Sequence, residues 1–118
     1  MHKLENILVW EKSLFLAERV YQLTANFPDT EKFGLTSQIR RAAVSISSNI
    51  AEGAGRNSNK EFKHFLGIAN GSSYEVLTQI ILSNKLKYIN DGEKEELMEL
   101  INEVQKMIFG FKKQLSKV

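Results

Sequence analysis

Residues 34–56, GLTSQIRRAAVSISSNIAEGAGR, restrict the fold of this chain more than any other stretch. A helix turns about 100° per residue. On that spacing Leu35, Ile39, Ala42, Ala43, Ile46, Ile50 and Gly53 share one face, an apolar stripe at i, i+3, i+4 and i+7. The opposite face lacks the Lys and Glu of an ordinary surface helix. It holds Ser45 and Ser48, with Arg41 and Glu52 only at its ends. A third flank carries Val44, Ser47 and Ala51. Side chains this small let other backbones come close. The helix is therefore expected to be covered from more than one direction, the Ile face by its own bundle and the Ser/Ala face by another body such as a second subunit.

A chain of 118 residues is long enough for one domain, 1–118, with its own core. Its 42% hydrophobic and 25% charged content is that of a folded soluble protein. There is no Cys, which excludes a disulfide framework and a thiolate metal site and permits a reducing compartment. Lys3, Glu5, Glu11 and Lys12 interrupt any secretory apolar region near the start. No apolar run approaches the ~20 residues of a membrane span, so the expectation is a cytoplasmic protein without a membrane partner. The net charge is only +2, but residues 34–63 carry a local surplus of +3. That surplus comes from Arg40, Arg41, Arg56, Lys60 and Lys63 against Glu52 and Glu61.

The remaining helices follow from periodicity. The first is expected over about 8–26, with stripes Trp10, Leu14, Ala17, Tyr21, Thr24 and Val9, Leu16, Val20, Leu23, Phe27 making one broad apolar face. Pro28 ends it, and Asp29 or Thr30 is positioned to cap a turn in the connector. The central helix is expected over about 35–53, closing at Gly53 or Gly55 where glycine tolerates a left-handed cap. Ser58-Asn59-Lys60-Glu61 reads as a capping box opening a third helix, about 59–88. Gly71 in its middle is expected to mark close packing against a neighbour rather than a kink. Asn90 and Glu93 form a second capping pair for a helix over about 92–115. Its stripe is Leu97, Leu100, Ile101, Val104, Met107, Ile108, Phe111 and Leu115, and its acids fall early and its bases late. No strand is expected. Four helices with short connectors imply an all-α, antiparallel up-down-up-down four-helix bundle.

Val9-Trp10-Glu11-Lys12, LTANFP, FGLTSQIRRAAVSISSNIAEGAGR and the S-x-KEF-x-x-FL-x-IA-x-GS run that follows resemble the bacterial four-helix bundle proteins. These are the 23S rRNA intervening-sequence or S23 ribosomal-protein-like family. The resemblance spans about residues 9–89, and Ser47 stands where the family commonly has Pro. It implies a bundle that assembles into a ring-like homopentamer. A related group, the accessory variability determinants of diversity-generating retroelements, binds nucleic acid and a reverse transcriptase. The family's basic and polar pattern falls on Arg40, Arg41, Asn49, Glu52 and Arg56.

Chemistry beyond this is thinly supported. Glu61-x-x-His64 is one half of a di-metal motif whose other ligands are missing. The serines at 45, 47 and 48 have no nucleophile geometry and suit packing. No enzyme activity and no cofactor are expected. Arg40, Arg41, Arg56, Lys60 and Lys63 are the candidates for phosphate contact. Arg41, Ser45, Ser48, Asn49 and Glu52 are the candidates for a subunit interface or polar network, with Arg41 and Glu52 anchoring ion pairs between subunits. For Arg40 and Arg56 the structural and phosphate roles stand equal. The leading expectation is a non-enzymatic homo-oligomer that binds RNA or DNA with low sequence specificity. The alternative is a scaffold for a protein encoded nearby, such as a reverse transcriptase, with no nucleic-acid binding of its own.

Overall fold

Four helices form where apolar periodicity places them: α1 Leu8–Thr24, α2 Leu35–Ala54, α3 Asn59–Lys85 and α4 Asp91–Leu115. One 3-10 turn, Asp29–Glu31, lies between α1 and α2. The computed structural model describes residues 3–4 and 7–117, and no strand occurs among them. Each helix packs on its sequence neighbours, and α4 closes on α1, in a body of 48 × 24 × 20 Å. Bonds between helices fix the directions. Ser73 meets Gln105 at mid-length while Asn59 reaches the Leu115 carbonyl, so α3 and α4 run antiparallel. Lys12–Glu103 and Arg19–Glu96 say the same of α1 and α4. Leu16, Val20, Ile46, Ile50, Phe62, Leu66, Ile80, Ile101 and Ile108 fill the core between them.

The buried arc of α1 is narrower than its two apolar stripes. Val9, Leu16, Val20, Leu23 and Phe27 are buried, but of the other stripe only Ala17 and Thr24 are, and Leu14 and Tyr21 are exposed. A helix at the corner of a four-membered ring meets two neighbours, and the rim of a broad apolar face is left in solvent. The helix also stops two residues early, at Thr24, where the side chain turns back to the Val20 carbonyl at 2.7 Å.

The helix ends hold several corrections. Neither Asp29 nor Thr30 caps anything; the connector instead caps α2 through Glu31, whose carboxylate accepts the Leu35 N–H at 3.0 Å. Ser58 caps the Glu61 amide at 3.1 Å, but the Glu61 carboxylate takes the Ser58 hydroxyl rather than its backbone N–H. The full reciprocal box is at Asn90 and Glu93, with bonds of 2.7 and 2.9 Å. No described glycine has a positive φ, and Gly55 sits at −83°. The left-handed residue is Lys87, φ 65°, after α3 has ended at Lys85. There the Tyr88 N–H reaches Ser83 and the Lys87 N–H reaches Asn84, the paired bonds of a Schellman closure.

Gly53 is required for a different reason than its cap. A Cβ there would lie 2.8 Å from Phe62 Cδ1 and 2.9 Å from Phe65 Cβ, so α2 and α3 touch at this point. Further along the same seam Ser45 and Ser72 exchange a 2.9 Å hydrogen bond, and Asn49 Nδ2 donates to the Ser45 carbonyl. Ser47 is buried and bonds back to Val44. The bundle itself therefore covers part of the Ser/Ala face of α2, at Ser45 and Ser47. Gln38, Arg41, Val44, Ser48 and Glu52 stay exposed along it. Gly71, by contrast, is exposed with nothing within 4 Å of an added Cβ. Close packing at Gly71 is thus overturned within the protomer, and α3 runs through it unbroken.

Candidate nucleic-acid interface

The five basic candidates separate in space. Arg40 is committed internally. Its Nε donates to Thr24 Oγ1 at 2.8 Å, a second nitrogen donates to the Tyr21 carbonyl at 3.2 Å, and the guanidinium sits 4.5 Å over the Tyr21 ring. It ties the end of α1 to the start of α2. Arg41, one residue on, is exposed and has no partner among the described residues. It lines an open cleft of about 600 Å³ between α2 and α3 with Ser37, Gln38, Ser45, Glu75 and Gln79. Gln79 Oε1 is buried there without a hydrogen-bond partner. Phe33, 90% exposed, stands at the rim.

Glu52 and Arg41 do not meet within the protomer. Glu52 holds Arg56 at 3.4 Å, one turn away, and both side chains are largely in solvent. Ser48 and Asn49 border the same shallow hollow as Glu52 and Phe65. Arg56 also lies 4.8 Å over the Phe65 ring, which is in a T-shaped arrangement with His64. Lys63 donates to Ser116 Oγ at 3.2 Å, and Lys60 is exposed without a partner among the described residues.

Sequence reading missed half of this basic end. Because α3 and α4 are antiparallel, the first turns of α3 lie beside the last turns of α4. The Lys112 ammonium comes to rest above Gly67, 3.8 Å from where a Cβ would stand. Lys112, Lys113 and Lys117 thus join Arg56, Lys60 and Lys63. Residues 52–63 and 112–117 together hold six basic side chains against two acidic ones, Glu52 and Glu61. The signal was present as the acid-early, base-late pattern of α4, which suits its dipole. What joins it to the α2–α3 turn is tertiary. At the opposite pole of the bundle, Asp91, Glu93, Glu95 and Glu96 of α4 are mixed with Lys85, Lys87 and Lys94.

Near that pole Arg19 grips Glu96 with two bonds, 2.6 and 2.8 Å. Hydrogen bonding by Arg19 holds the Glu96 carboxyl below its ordinary value, against a smaller opposing effect of burial. A carboxyl depressed on folding contributes stability above its unfolded pKa and loses it as pH falls through the folded one. Glu96→Gln is therefore expected to lower Tm slightly at neutral pH, where the contribution of this partly exposed pair is fully present, and to converge on wild type as pH falls below about 4.5, so that its acid limb is flatter. Tyr88 moves the other way: its hydroxyl donates to Glu31 at 3.0 Å, which raises its pKa.

Glu61 and His64 are both exposed, and no group of three or more His, Asp and Glu able to hold a metal ion occurs among the described residues. No described helix is long and apolar enough to cross a membrane.

Comparison with known proteins agrees with this architecture. The family model described as 23S rRNA-intervening sequence protein matches residues 5–110. The chain is similar to a crystal structure of a protein of unknown function from the S23 ribosomal protein family of Bacteroides thetaiotaomicron. The two share 28% identity over 90% of this chain and 99% of that one, with a TM-score of 0.80. No curated protein matches.

Proposed function

This chain belongs to the 23S rRNA-intervening sequence protein family, and we propose that it is a non-enzymatic homo-oligomer that binds RNA or DNA through the basic end of its bundle. The observation that carries the reading is the gathering of Lys60 and Lys63 at the start of α3 with Lys112 and Lys113 at the end of α4, joined by Arg56 in the α2–α3 turn and Lys117 just past α4. Guanidinium and ammonium groups so placed meet a phosphate backbone with little regard to base sequence. Contacts of this kind carry no sequence information, which favours low specificity. Arg40, occupied by Tyr21 and Thr24, drops from the contact set. Arg41 moves to the assembly set with Ser45, Ser48, Asn49 and Glu52. Its unpaired guanidinium, the orphan Gln79 oxygen and the bare Phe33 share one cleft, as a surface covered by another copy would. Five copies in a ring is the assembly that the family resemblance implies, and Arg41–Glu52 pairing between copies is part of this proposal.

The test is a salt titration of labelled RNA and DNA binding for wild type, Arg56→Ala and Lys60→Ala, with light scattering in parallel. Each lost phosphate contact should reduce the slope of log affinity against log salt by about 0.7–0.9. Both variants should keep the wild-type assembly, since exposed charges contribute roughly 0–1 kcal/mol. Unchanged slopes in both would remove this end as the binding surface. A 13.5 kDa monomer at micromolar concentration would end the assembly reading. An intact oligomer that binds no nucleic acid at low salt would favour the protein-scaffold alternative.

A further inference from the structure

We infer that the outward face shared by α3 and α4 at the basic end takes single-stranded nucleic acid, with unpaired bases stacked on Phe109 and Tyr74. This rests on the nucleic-acid reading above and specifies its ligand. Phe109 is 67% exposed and Tyr74 56% exposed, and neither ring meets another ring among the described residues. Both sit within well-formed helices, where a polar residue would hold the helix equally well. The Ser73–Gln105 bond sets the register between α3 and α4. Following it outward places Gly67 level with Gly110, Lys60 and Lys63 beside the last turn of α4, and Phe109 on the strip between Lys113 and the level of Tyr74. The Lys113 ammonium is 5.8 Å from the Phe109 ring centroid.

The glycines support the same use of the face. An added Cβ would meet nothing within 4 Å at Gly71, and at Gly67 only the flexible Lys112 ammonium; Gly110 borders the hollow between α1 and α4 and plays no part in this face. Packing within the protomer requires neither Gly71 nor Gly67, although each weakens its helix relative to Ala. Their effect is to keep the surface low beside an exposed ring, where a flat base must lie. Phe109 and Tyr74 differ in level by five to six residues, on the order of 8 Å along the bundle axis. Duplex bases are stacked about 3.4 Å apart and hide their faces. An extended strand with separated bases matches rings spaced this widely, and lysines alongside aromatic platforms are how sequence-tolerant single-strand binding is built. A second copy docked through this same face is the poorer occupant, because its lysines would repel their counterparts; a copy docked through a different face, as in a ring, is distinguished below by loss of assembly.

The experiment compares a labelled pyrimidine single strand, as RNA and as DNA, with the corresponding duplexes. Wild type, Phe109→Ala, Phe109→Trp and Gly71→Ala are each measured across salt, with light scattering and melting in parallel. Single strands of one or both chemistries should bind at least about tenfold more tightly than duplex. Phe109→Ala should weaken single-strand binding by about 5- to 150-fold, the equivalent of one lost base stack. Its salt slope should stay that of wild type, because no phosphate contact is removed. Phe109→Trp should retain binding. Gly71→Ala should melt higher than wild type yet bind single strands less well. Equal affinity for duplex, or no loss in Phe109→Ala, overturns this inference while leaving the basic-end reading intact if Arg56→Ala and Lys60→Ala still lower the slope. Loss of assembly in Phe109→Ala overturns it in favour of a contact between copies. Absence of any binding by wild type removes both.

Discussion

Ile46→Ala and Ile50→Ala should each lower the free energy of unfolding by about 2–5 kcal/mol, the range for large-to-small changes in a closed core. Both side chains are 0% exposed. They lie one turn apart in the middle of α2, the helix that packs on both α1 and α3. A cavity opened there lies in a core whose other members are as deeply buried, Leu16 and Val20 on α1 and Leu66 and Ala69 on α3 among them. None of these elements is free to collapse inward without disturbing the Gly53–Phe62 contact or the Ser45–Ser72 bond on the same seam. The loss is a large part of the roughly 5–15 kcal/mol that holds a domain folded. Urea unfolding should show the midpoint falling with the slope unchanged. A loss under about half a kcal/mol would place the core of α2 on the wrong face, since a fully buried isoleucine does not leave so little behind.

The four helices were legible because each buries one stripe of large aliphatic side chains, and that periodicity survives any tertiary detail. The Asn90–Glu93 box and the Ser58 cap were legible because a cap is a local event, decided within four residues. What escaped was set by partners distant in sequence. Glu31 was not marked as the cap of α2, because the preceding turn delivers its carboxylate to Leu35. Lys87 gives no sign in its side chain that its backbone is left-handed, a conformation usually left to Gly. The small residues of α2 pointed correctly to close approach, but part of that approach is by α3 of the same chain, through Ser72 and Phe65, rather than by another body. The candidate site was legible for Arg56, Lys60 and Lys63. Arg40 looked equivalent to them until Tyr21 came within 4.5 Å of its guanidinium. Lys112, Lys113 and Lys117 were hidden by arithmetic along the chain. Residues 64–118 hold seven acidic and seven basic side chains, and that zero sum conceals that most of the bases of α4 collect in its last turns while its acids lie earlier.

Glycine substitutions should give effects of opposite sign according to what lies over them, which tests the helix packing more sharply than any apolar truncation. At Gly53 even one added carbon has no room. Phe62 Cδ1 at 2.8 Å is the edge of a buried ring that also packs on Phe111, centroids 5.1 Å apart, so it cannot swing aside. Phe65 Cβ at 2.9 Å and the Phe62 carbonyl at 3.2 Å move only with the backbone of α3. Gly53→Ala must therefore push α2 and α3 apart at their closest point. Overpacking of this kind costs about 1–3 kcal/mol. The better helix propensity of Ala returns less than about 1 kcal/mol of it so near a helix end. Gly53→Val adds two further methyl groups to the same overlap and should cost more, enough to unfold a marginal bundle. Gly110 lies mid-turn in α4 with nothing within 4 Å of its missing Cβ. Gly110→Ala should accordingly stabilise by about 1 kcal/mol, the propensity difference alone. Thermal and urea unfolding of the two Ala variants at equal protein concentration measure both signs at once. A stabilising Gly53→Ala would mean that α2 and α3 do not touch there, and the antiparallel seam from Ser45 to Gly53 would have to be redrawn. A destabilising Gly110→Ala would mean that another body lies over α4 in the assembled protein, and dilution to the monomer should then restore the expected gain.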